Sequence, residues 1–470
     1  MKDTEVINFK MRVSHTVEVA VVGLGPAGIG TALMLIKSNL ASRVLCLDAG
    51  NHPSMRSCSV IHEQYCKKEK PCQVVSGFGG CSLLSGGKVS AFPAGSAFVS
   101  ILGSKTLAEK AMSKALDLFG SYVDLEKPKI GSADIKVAMD LYKELGFEYK
   151  YYDAYLYNQS ELREAYEKIF EELKSSGMSL LMDTEVVDIN RTEDGYKLTA
   201  RRVNEQLNIS SKSIVLGLGR LGRTFLKSLN GKLNLRGKVN YLDVGVRLEV
   251  PNDICPEFTK YHNDLKLLFD NARTFCVCSD GKVAPYLLEE VFFTEGYYNP
   301  EDMSKFTNLG ILVRLPPSKE TEGILDKTKK HFQCSGKGNL IYQRLTDYLY
   351  SNGKKDEFHK ILDSSISFGV EADINQCFPE PVSGKIREAV HYFATRILPA
   401  DGWDKVNVFA PEVDYGGLCF TVSSDFSIIP RIYLVGDCTG RFRGILQAFC
   451  SGLICGESIA YNLNENEEKA

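Results

Sequence analysis

This 470-residue sequence has only one tryptophan, Trp403, and its net charge is only -3 at pH 7. No run of eighteen apolar residues, the length that spans a bilayer, occurs in it. Repeats and low-complexity tracts are also missing. The small net charge gives no electrostatic footprint for nucleic acid or for an anionic membrane. We therefore expect a globular protein of two or three domains without a membrane span.

The first sixteen residues lack the apolar core of a secretory signal and instead carry charges from Lys2 to Arg12. The expected location is therefore the cytoplasm. Reducing conditions there keep thiols free, so we expect the fourteen cysteines to be mostly unpaired.

A glycine-containing turn between a strand and a helix organises the beginning of the chain. Val17–Val22 is an apolar run rich in β-branched residues, which predicts a buried parallel strand. Gly23 permits a tight turn, Gly25 lets the backbone approach a pyrophosphate, and Gly28 lets the next helix pack closely on the strand. This spacing is typical of a dinucleotide site, although a glycine-rich turn in another α/β protein is the alternative.

The same unit continues into a helix and ends in an acid. The helix predicted over Gly30–Ser38, just after Pro26 and Ala27, offers free N–H groups at its amino end to a phosphate. A second strand, Arg43–Leu47, ends at Asp48, where a carboxylate can accept hydrogen bonds from both ribose hydroxyls. Strand, glycines, helix, strand and acid in one unit predict dinucleotide binding.

A second glycine-rich stretch, Ser76–Lys88, contains Gly79, Gly80 and Gly87. So many glycines fit neither regular element and indicate a backbone that passes close to something flat or charged. We expect this stretch, with Lys88, to contact the pyrophosphate and the ring edge of a flavin. A flexible surface loop is the alternative.

Four cysteines, Cys58, Cys66, Cys72 and Cys81, precede or enter this stretch. Thiols this close in sequence are able to ligate zinc or an iron–sulfur cluster. Since none of their spacings is the two-residue kind typical of such sites, we favour free thiols or a redox-active pair and predict no bound metal.

A second match to the glycine spacing follows the apolar strand Ser213–Leu216, at Gly217, Gly219 and Gly222. Asp243 lies at a similar distance beyond it, so a separate nicotinamide site stays open. The helix predicted after this turn is too short for a complete dinucleotide unit. We therefore favour a strand-end turn that closes over the same cofactor as the first motif.

The end of the chain is predicted to return to this site. The apolar strand Arg431–Leu434 leads to Gly436 and Asp437, and Gly444 and Ile445 begin the last helix. A carboxylate here can bind a ribityl chain, and the helix N–H groups can face the negative charge on a reduced flavin. This arrangement requires the last strand to lie beside the first.

Three signatures, at Val17–Asp48, Gly217–Gly222 and Val435–Asp437, resemble those of two-domain flavoproteins of the glutathione reductase structural group. Within that group the chain is most similar to little-characterised bacterial FAD-dependent dehydrogenases. The further motifs that match theirs are Gly79–Lys88, Gly245–Glu249, Thr274–Cys278 and Gly436–Gly452. The chain departs from them at Cys81-Ser82 and in the basic loop Asp437–Arg443, which implies a changed substrate or electron acceptor.

This resemblance implies FAD as cofactor and an α/β fold. A Rossmann-like FAD-binding domain, with a parallel sheet and an antiparallel meander, would receive an inserted mixed α+β substrate domain. The implied boundaries are residues 1–103, 176–232 and 421–470 for the FAD-binding domain, 104–175 for a helical segment, and 233–420 for the substrate domain. The residues expected to bind FAD are Gly23, Gly25, Pro26, Ala27, Gly28, Asp48, Gly79, Gly80, Gly87, Lys88, Val186, Gly217, Gly219, Gly222, Gly436, Asp437, Gly444 and Ile445.

Three cations are candidate catalytic residues. Lys88 and Arg443 would lie nearest the flavin ring, where they stabilise its reduced form or an anionic substrate, unless they are surface charges. Arg247 either points into the cleft between the domains or pairs with Glu249 or another acid.

Two cysteines on one predicted strand offer a redox alternative. Cys276 and Cys278 lie two residues apart, on one face, and either exchange electrons with flavin or fill the core. A disulfide reductase of the glutathione reductase kind would have a second cysteine five positions after Cys81, where Gly86 stands instead.

The predicted function is an FAD-dependent oxidoreductase that transfers a hydride or electrons between flavin and a small molecule. Its flavin would be reduced by NAD(P)H or by a partner protein. The alternatives are a flavin-binding redox sensor or regulatory protein without turnover, and a flavin monooxygenase such as a hydroxylase or halogenase. No diagnostic tryptophan motif of the last two enzymes is present.

Overall fold

The fold is described from a computed structural model, in which residues 12–62, 65–203, 205–255, 260–336, 338–350, 363–414 and 417–468 are described. The charged residues before Arg12 lie outside this part of the chain. Helices and strands are numbered in chain order. No helix of the described segments is long and apolar enough to cross a membrane.

The first sheet is assembled from both ends of the chain. Its strands are β1 (Arg12–Val22), β2 (Val44–Leu47), β6 (Ser179–Leu181), β7 (Glu185–Arg191), β8 (Tyr196–Arg202), β9 (Glu205–Leu216), β21 (Ser427–Ile429) and β22 (Ile432–Leu434). The spatial order is β21-β22-β9-β1-β2-β6, and the strands from β22 to β6 are parallel. β7 and β8 form an antiparallel meander with β9. The predicted parallel sheet with an antiparallel meander is confirmed.

The first and last long helices, α1 (Pro26–Lys37) and α10 (Ile445–Glu468), pack against each other at unusually short range. A Cβ atom on Gly452 would lie 1.9 Å from the Ala27 carbonyl oxygen, and one on Gly30 would lie 2.5 Å from that of Phe449. The Thr31 hydroxyl donates to the Gly452 carbonyl at 3.1 Å. Glycine is therefore required on both helices to bring the two ends of the chain together.

The second sheet is mostly antiparallel. Its strands are β4 (Glu148–Lys150), β11 (Leu242–Pro251), β12 (Lys266–Phe269), β13 (Ala272–Cys278), β14 (Lys282–Leu288), β15 (Val291–Tyr297), β16 (Phe306–Leu315), β17 (Ile341–Arg344), β18 (Val370–Glu371) and β19 (Asn407–Val413). The order is β14-β15-β19-β11-β16-β13-β12-β4, with β17 also paired to β19 and β18 to β17. Most of β11 and β16 is buried, and β11 alternates apolar residues with the buried charged residues Asp243, Arg247 and Glu249.

The remaining elements connect and cover these sheets. The helices are α2 (Ala97–Leu102), α3 (Lys105–Gly120), α4 (Ser132–Glu144), α5 (Gln159–Ser175), α6 (Arg223–Leu233), α7 (Lys319–Ser335), α8 (Leu345–Tyr350) and α9 (Val382–Ile397). Two small strand pairs are formed by β3 (Lys88–Ser90) with β5 (Ala154–Leu156) and by β10 (Lys238–Val239) with β20 (Leu418–Cys419). Ser104 and Asn158 cap α3 and α5 with their side chains, which fixes where these helices begin.

Three sequence-based predictions about elements are wrong. The apolar run Val283–Phe293 predicts a single strand, but it forms the β14–β15 hairpin, whose turn is made by Glu289 and Glu290 at φ 49° and 66°. Such turns normally contain asparagine or glycine, so this one gave no signal. The sequence of Leu340–Tyr350 predicts a helix, but it forms strand β17 followed by α8. The helix after Gly222 spans eleven residues and includes Asn230-Gly231.

The predicted position of the last strand also needs correction. β22 pairs with β9, so β9 separates it from β1. The C-terminal strand nevertheless extends the same parallel sheet. Its carboxyl end therefore lies at the same edge as those of β1 and β9.

Candidate functional site

A cavity lies at the carboxyl ends of the parallel strands β1, β2, β9 and β22, where open α/β sheets bind their ligands. We call it the glycine-lined cavity. Its wall is formed by the β1–α1 turn, the end of β2, residues 75–77 and 80–82, residues 184–186, the turn after β9, and residues around the start of α10. Both ends of the chain and the middle thus contribute to one site.

The three glycines of the first motif have different structural roles. Gly23 has φ 95°, and a Cβ on it would lie 2.4 Å from the Gly217 carbonyl oxygen. A Cβ on Gly28 would lie 1.9 Å from the Gly23 carbonyl oxygen. A Cβ on Gly25 would meet only the Gly80 Cα, at an ordinary 3.7 Å, and Gly25 lines the cavity. The fold therefore requires Gly23 and Gly28, whereas a ligand that approaches the backbone requires Gly25.

Asp48 is the acid at the end of β2, and it is already engaged by the backbone. Its Oδ2 accepts the Leu24 N–H at 2.7 Å, and its Oδ1 accepts those of Gly50 at 2.8 Å and Gly77 at 2.9 Å. A carboxylate has about four acceptor positions, so about one remains. Binding of the ribose hydroxyls by Asp48 therefore stays a prediction.

The amino ends of α1 and α10 both reach the glycine-lined cavity. Gly25 caps α1 without a side chain, so the first N–H groups of this helix have no side-chain partner at the cap. Ile445 and Ala448 of α10 also line the cavity. Two helix amino termini place the positive ends of their dipoles beside one space, which favours a ligand with negative charge at two separate points.

Arg220, in the turn after β9, is a cation that the sequence reasoning did not select. Its side chain is only 6% exposed, and its Nε and Nη1 have no hydrogen-bond partner in the described part of the protein. Its Nη2 lies 3.0 Å from Glu295. Buried donors without partners are costly, so the site is built for a ligand that accepts hydrogen bonds from Arg220.

Most of the residues predicted to bind FAD line the glycine-lined cavity: Gly23, Gly25, Pro26, Ala27, Asp48, Gly80, Val186, Gly217, Gly219, Gly222, Gly436, Asp437 and Ile445, together with Arg443. Gly79 and Gly87 do not line it, because they face tyrosine rings. A Cβ would lie 2.6 Å from the Tyr166 ring at Gly79 and 2.7 Å from that of Tyr298 at Gly87. These two glycines shape the loop around the cavity.

A second cavity adjoins the first and shares five wall residues with it: Cys81, Ser82, Arg220, Arg443 and Ile445. We call it the cationic cavity. Gly444 and Lys88 line this second cavity and not the first. Its other walls come from β12, β13 and β16 of the second sheet and from residues 441–447. A group bound in the first cavity can therefore reach a molecule bound in the second.

Basic side chains outnumber acidic ones in the wall of the cationic cavity. The basic residues are Lys88, Arg220, Lys266, Arg273, Arg314, Arg441 and Arg443, and the acidic ones are Asp264, Glu295 and Asp414. Arg443 lies 2.6 Å from Asp414, and Arg273 also pairs with that carboxylate. Burial and the neighbouring Arg273 lower the pKa of Lys266 to about 8.

Lys88 is held at the wall of the cationic cavity by several groups. Its Nζ lies 3.2 Å from Asp264 and donates to the Val277 carbonyl oxygen. Burial opposes the charge, but Asp264 and the thiols of Cys278 and Cys276 raise the pKa of Lys88 above its ordinary value. The ammonium group is therefore permanently charged at neutral pH.

Arg247 does not line either cavity. Its guanidinium is fully buried and forms two hydrogen bonds with Glu412, at 2.8 and 3.1 Å, and another with Asn308 at 2.8 Å. Its partner is thus Glu412 and not Glu249, which instead accepts a bond from Asn407 at 2.9 Å. The geometry corresponds to the ion-pair alternative for Arg247 and gives it no contact with a bound molecule.

Asp243, the acid that follows the second glycine motif, pairs with side chains of the second sheet. Asp243 is fully buried and accepts hydrogen bonds from Arg273 at 2.8 Å and from Arg314 at 2.7 Å. The turn from Gly217 to Gly222 lines the same cavity as the first motif. Both glycine motifs thus line one cavity, and Asp243 is held by arginines of the second sheet.

The cysteines near the first glycine-rich stretch fall into two places. Cys58, Cys66 and Cys72 line a small surface pocket, whereas Cys81 lines both main cavities. Within the described segments, no three histidine, cysteine or acidic residues are arranged to hold a metal ion.

The comparisons with known proteins give structural similarity only. No protein-family model matches the sequence, and no curated protein sequence matches it. A flavoprotein/dehydrogenase from Cytophaga hutchinsonii is 12% identical and has a TM-score of 0.43, covering 96% of this chain and 79% of its own. Glycine oxidase from Geobacillus kaustophilus is 13% identical, with a TM-score of 0.42 and 95% of each chain covered. A geranylgeranyl bacteriochlorophyll reductase-like protein from Thermoplasma acidophilum is 10% identical, with a TM-score of 0.41, covering 96% of this chain and 80% of its own. Values this low decide nothing about what this chain binds.

Proposed function

We propose that the protein is an FAD-dependent oxidoreductase acting on a small anionic molecule. One observation carries the proposal. Glycine turns and two helix amino termini from both ends of the chain face one cavity, which opens into a second cavity with a cationic wall. The first suits a long ligand with a central pyrophosphate, and the second suits its reaction partner.

Individual residues fit FAD in different ways. Gly25 and the amino end of α1 would hold the pyrophosphate, and Asp48 would accept one ribose hydroxyl. Asp437 lies beside the start of α10, where the ribityl chain would pass. Bound FAD would supply the hydride or electron transfer, while the protein supplies position and charge.

Arg443 and Ile445 lie where the two cavities meet, so the reactive ring would be placed at this junction. The Arg443 side chain is 9% exposed, and its Nη2 has no hydrogen-bond partner among the residues described. A cation in this position stabilises negative charge on a reduced ring, which is why we retain Arg443 as a candidate catalytic residue.

The charge of the cationic cavity identifies the class of substrate. Even when the buried Asp243 is counted, seven basic residues face four acidic ones. Five of the basic residues do not line the glycine-lined cavity and so are not needed there: Lys88, Lys266, Arg273, Arg314 and Arg441. A wall with more basic than acidic side chains attracts negative charge, so we infer that the substrate carries at least one carboxylate or phosphate.

Three further predictions belong to this proposal. The proposed division is an FAD-binding domain (1–103, 176–232 and 421–470), a helical segment (104–175) and a substrate domain (233–420). All strands of the first sheet come from the first set of residues, whereas the second sheet also includes β4 from the helical segment. NAD(P)H or a redox partner protein would supply electrons. The cytoplasm remains the proposed location.

Anaerobic rapid-mixing experiments on the yellow protein test this function. We expect NADH, NADPH or a photoreduced carrier to reduce the flavin, and an unsaturated or amino carboxylic acid to exchange electrons with it. Each acid in the panel is paired with its uncharged amide, which should react more slowly because it lacks the charge that the cavity binds. Equal rates for acids and amides would contradict the anionic substrate.

A flavin that reacts with no donor or acceptor would favour the redox sensor, and formation of a hydroxylated or halogenated product would favour the monooxygenase or halogenase.

A further inference from the structure

Cys276 and Cys278 lie side by side in the wall of the cationic cavity. Their Sγ atoms are 3.9 Å apart. Cys276 lines the cavity, while Cys278 lies behind it and is 2% exposed. A disulfide requires an S–S distance of about 2.05 Å, so a movement of about 2 Å would join them.

A bulge in β13 sets this arrangement. Between Phe275 and Cys278, β13 contains one residue more than its partner β16. Cys276 takes up the extra length with φ 46°, a left-handed conformation that is uncommon for residues other than glycine. Strained backbone of this kind persists only where the surroundings enforce it, and it concentrates at functional sites.

Three charged side chains hold the bulge. The Val277 N–H donates to Asp264 Oδ1 at 3.1 Å, and the Val277 carbonyl accepts from Lys88. The Cys276 carbonyl accepts from Arg247 Nη1 at 3.1 Å. Cysteines that merely fill a core need no such polar support, so these contacts favour a functional role for the pair.

Two glycines leave the sulfur atoms room. A Cβ on Gly86 would lie 3.0 Å from both Sγ atoms, and one on Gly296 would lie 2.6 Å from Cys278 Sγ. Any larger residue at Gly296 would press on this sulfur. Both sulfur atoms therefore face the backbone of Gly86, and that of Cys278 also faces the backbone of Gly296.

The electrostatic surroundings favour a thiolate at this pair. A hydrogen bond from Cys276 lowers the pKa of Cys278 against the opposing effect of burial, and the charges of Lys88 and Arg247 act in the same direction. The thiolate is the form that attacks sulfur and other electrophiles. These contacts therefore favour ionisation of one thiol of the pair.

We propose that Cys276 and Cys278 are a redox-active dithiol that exchanges two electrons with FAD through a reversible disulfide. In the oxidative direction two S–H bonds break, one S–S bond forms, and two protons and two electrons leave the sulfur atoms. Oxidised FAD takes up both electrons and becomes reduced, and the reverse transfer restores the thiols. This inference rests on the proposed function for its electron partner. Cys276 lines the same cavity as Arg443 and Ile445, and these two residues also line the glycine-lined cavity.

Counting electrons tests the proposal on the full-length protein with FAD bound. The protein is oxidised with ferricyanide, desalted and titrated anaerobically with dithionite while the flavin absorbance is followed. Wild type should consume two electron equivalents per flavin more than the double variant Cys276→Ser/Cys278→Ser. Cys334→Ser, which removes an exposed cysteine, should behave as wild type.

Alkylation under denaturing conditions gives a second readout that needs no turnover. In the oxidised protein the peptide with both cysteines should carry no alkyl group, and after flavin reduction it should carry two. If flavin binds but both thiols alkylate in the oxidised protein, or the electron counts are equal, the dithiol is refuted and the proposed function stands. A protein that binds no flavin refutes the proposed function and this inference with it.

Discussion

Arg247 and Glu412 form a two-pronged ion pair inside the second sheet, with N–O distances of 2.8 and 3.1 Å and both side chains fully buried. Removing one partner of such a pair leaves a buried charge without compensation. Arg247 also holds the Cys276 carbonyl, so this ion pair supports the wall of the cationic cavity from behind. We therefore assign Arg247 a positioning role and no contact with a bound molecule.

The variant Arg247→Met tests this role through stability. We expect the free energy of unfolding at pH 7 to fall by about 3–5 kcal/mol, since Glu412 would stay buried and unpaired. Burial already raises the pKa of Glu412, and the loss of Arg247 would raise it more. The folded variant then binds a proton that the unfolded chain releases, so its stability rises as the pH falls from 7 towards the unfolded pKa. Urea unfolding of wild type and Arg247→Met at pH 7 and pH 5.5 measures this difference. An equal loss of unfolding free energy at the two pH values would contradict the prediction.

Lys266 gives a prediction about pH in the cationic cavity. The groups that face it are Arg273, which lowers its pKa, and Asp414, Asp264 and Asp243, which raise it. With a pKa of about 8, the ammonium group loses its proton as the pH rises through 8, and anion binding should weaken over the same range. Titration of carbon-13 dimethylated lysines by NMR checks the pKa, with Lys266→Arg to assign the signal. A midpoint near 10 would contradict the prediction.

The contact between α1 and α10 yields a prediction about the two ends of the chain. A Cβ on Gly452 would lie 1.9 Å from the Ala27 carbonyl oxygen, so Gly452→Val must push the helices apart. We expect a loss of about 1–3 kcal/mol or more in unfolding free energy, together with weaker flavin binding. In Gly231→Ala nothing lies within 4 Å of the new atom, and a gain of about 0.5–1 kcal/mol is expected. Thermal unfolding of Gly452→Val, Gly231→Ala and wild type, with and without FAD, measures the change in stability and the stabilisation by FAD.

Arg441 tests whether the cationic cavity recognises negative charge. Its Nε lies 3.4 Å from the Cys419 sulfur, and its side chain lines that cavity but not the glycine-lined one. In Arg441→Gln we expect KM for the acid substrate to rise about tenfold or more, corresponding to about 1.4 kcal/mol or more of a charge-assisted hydrogen bond. The FAD affinity and the reaction with the matched amide should not change. Equal losses of activity toward the acid and toward the amide would indicate that the substitution disturbs the structure and that Arg441 does not recognise charge.

Local sequence patterns predict the glycine-lined cavity but only part of the cationic cavity. The β1–α1 turn is evident from its three glycines, because Gly23 answers a close approach of the adjacent strand, Gly28 answers one within the turn, and Gly25 leaves the backbone open to the cavity. The cationic cavity joins Lys88, Lys266 and Arg443, which lie far apart in the chain and carry no shared spacing. Lys88 and Arg443 are predicted from motifs near the flavin, and Arg220 was also within reach because it lies inside the second glycine motif, whereas Lys266 stands in no motif.

Some element predictions failed for equally physical reasons. A strand order cannot be deduced from the apolar character of β22, which suits a place beside β9 as well as one beside β1. The apolar residues from Val283 to Phe293 continue through a turn of two glutamates with positive φ, a choice that no turn preference anticipates. Tertiary contacts decided both cases.

Equilibrium titration of the purified protein with FAD, followed by flavin fluorescence, tests the central claim most directly. We predict one FAD per chain for wild type and for Gly231→Val, whose side chain meets no neighbour. Gly25→Val should fold with unchanged circular dichroism yet bind no FAD, because Gly25 lines the cavity and a Cβ there meets only the Gly80 Cα, at an ordinary 3.7 Å. FAD binding by Gly25→Val equal to that of wild type, or a folded wild type that binds no FAD, would contradict the account.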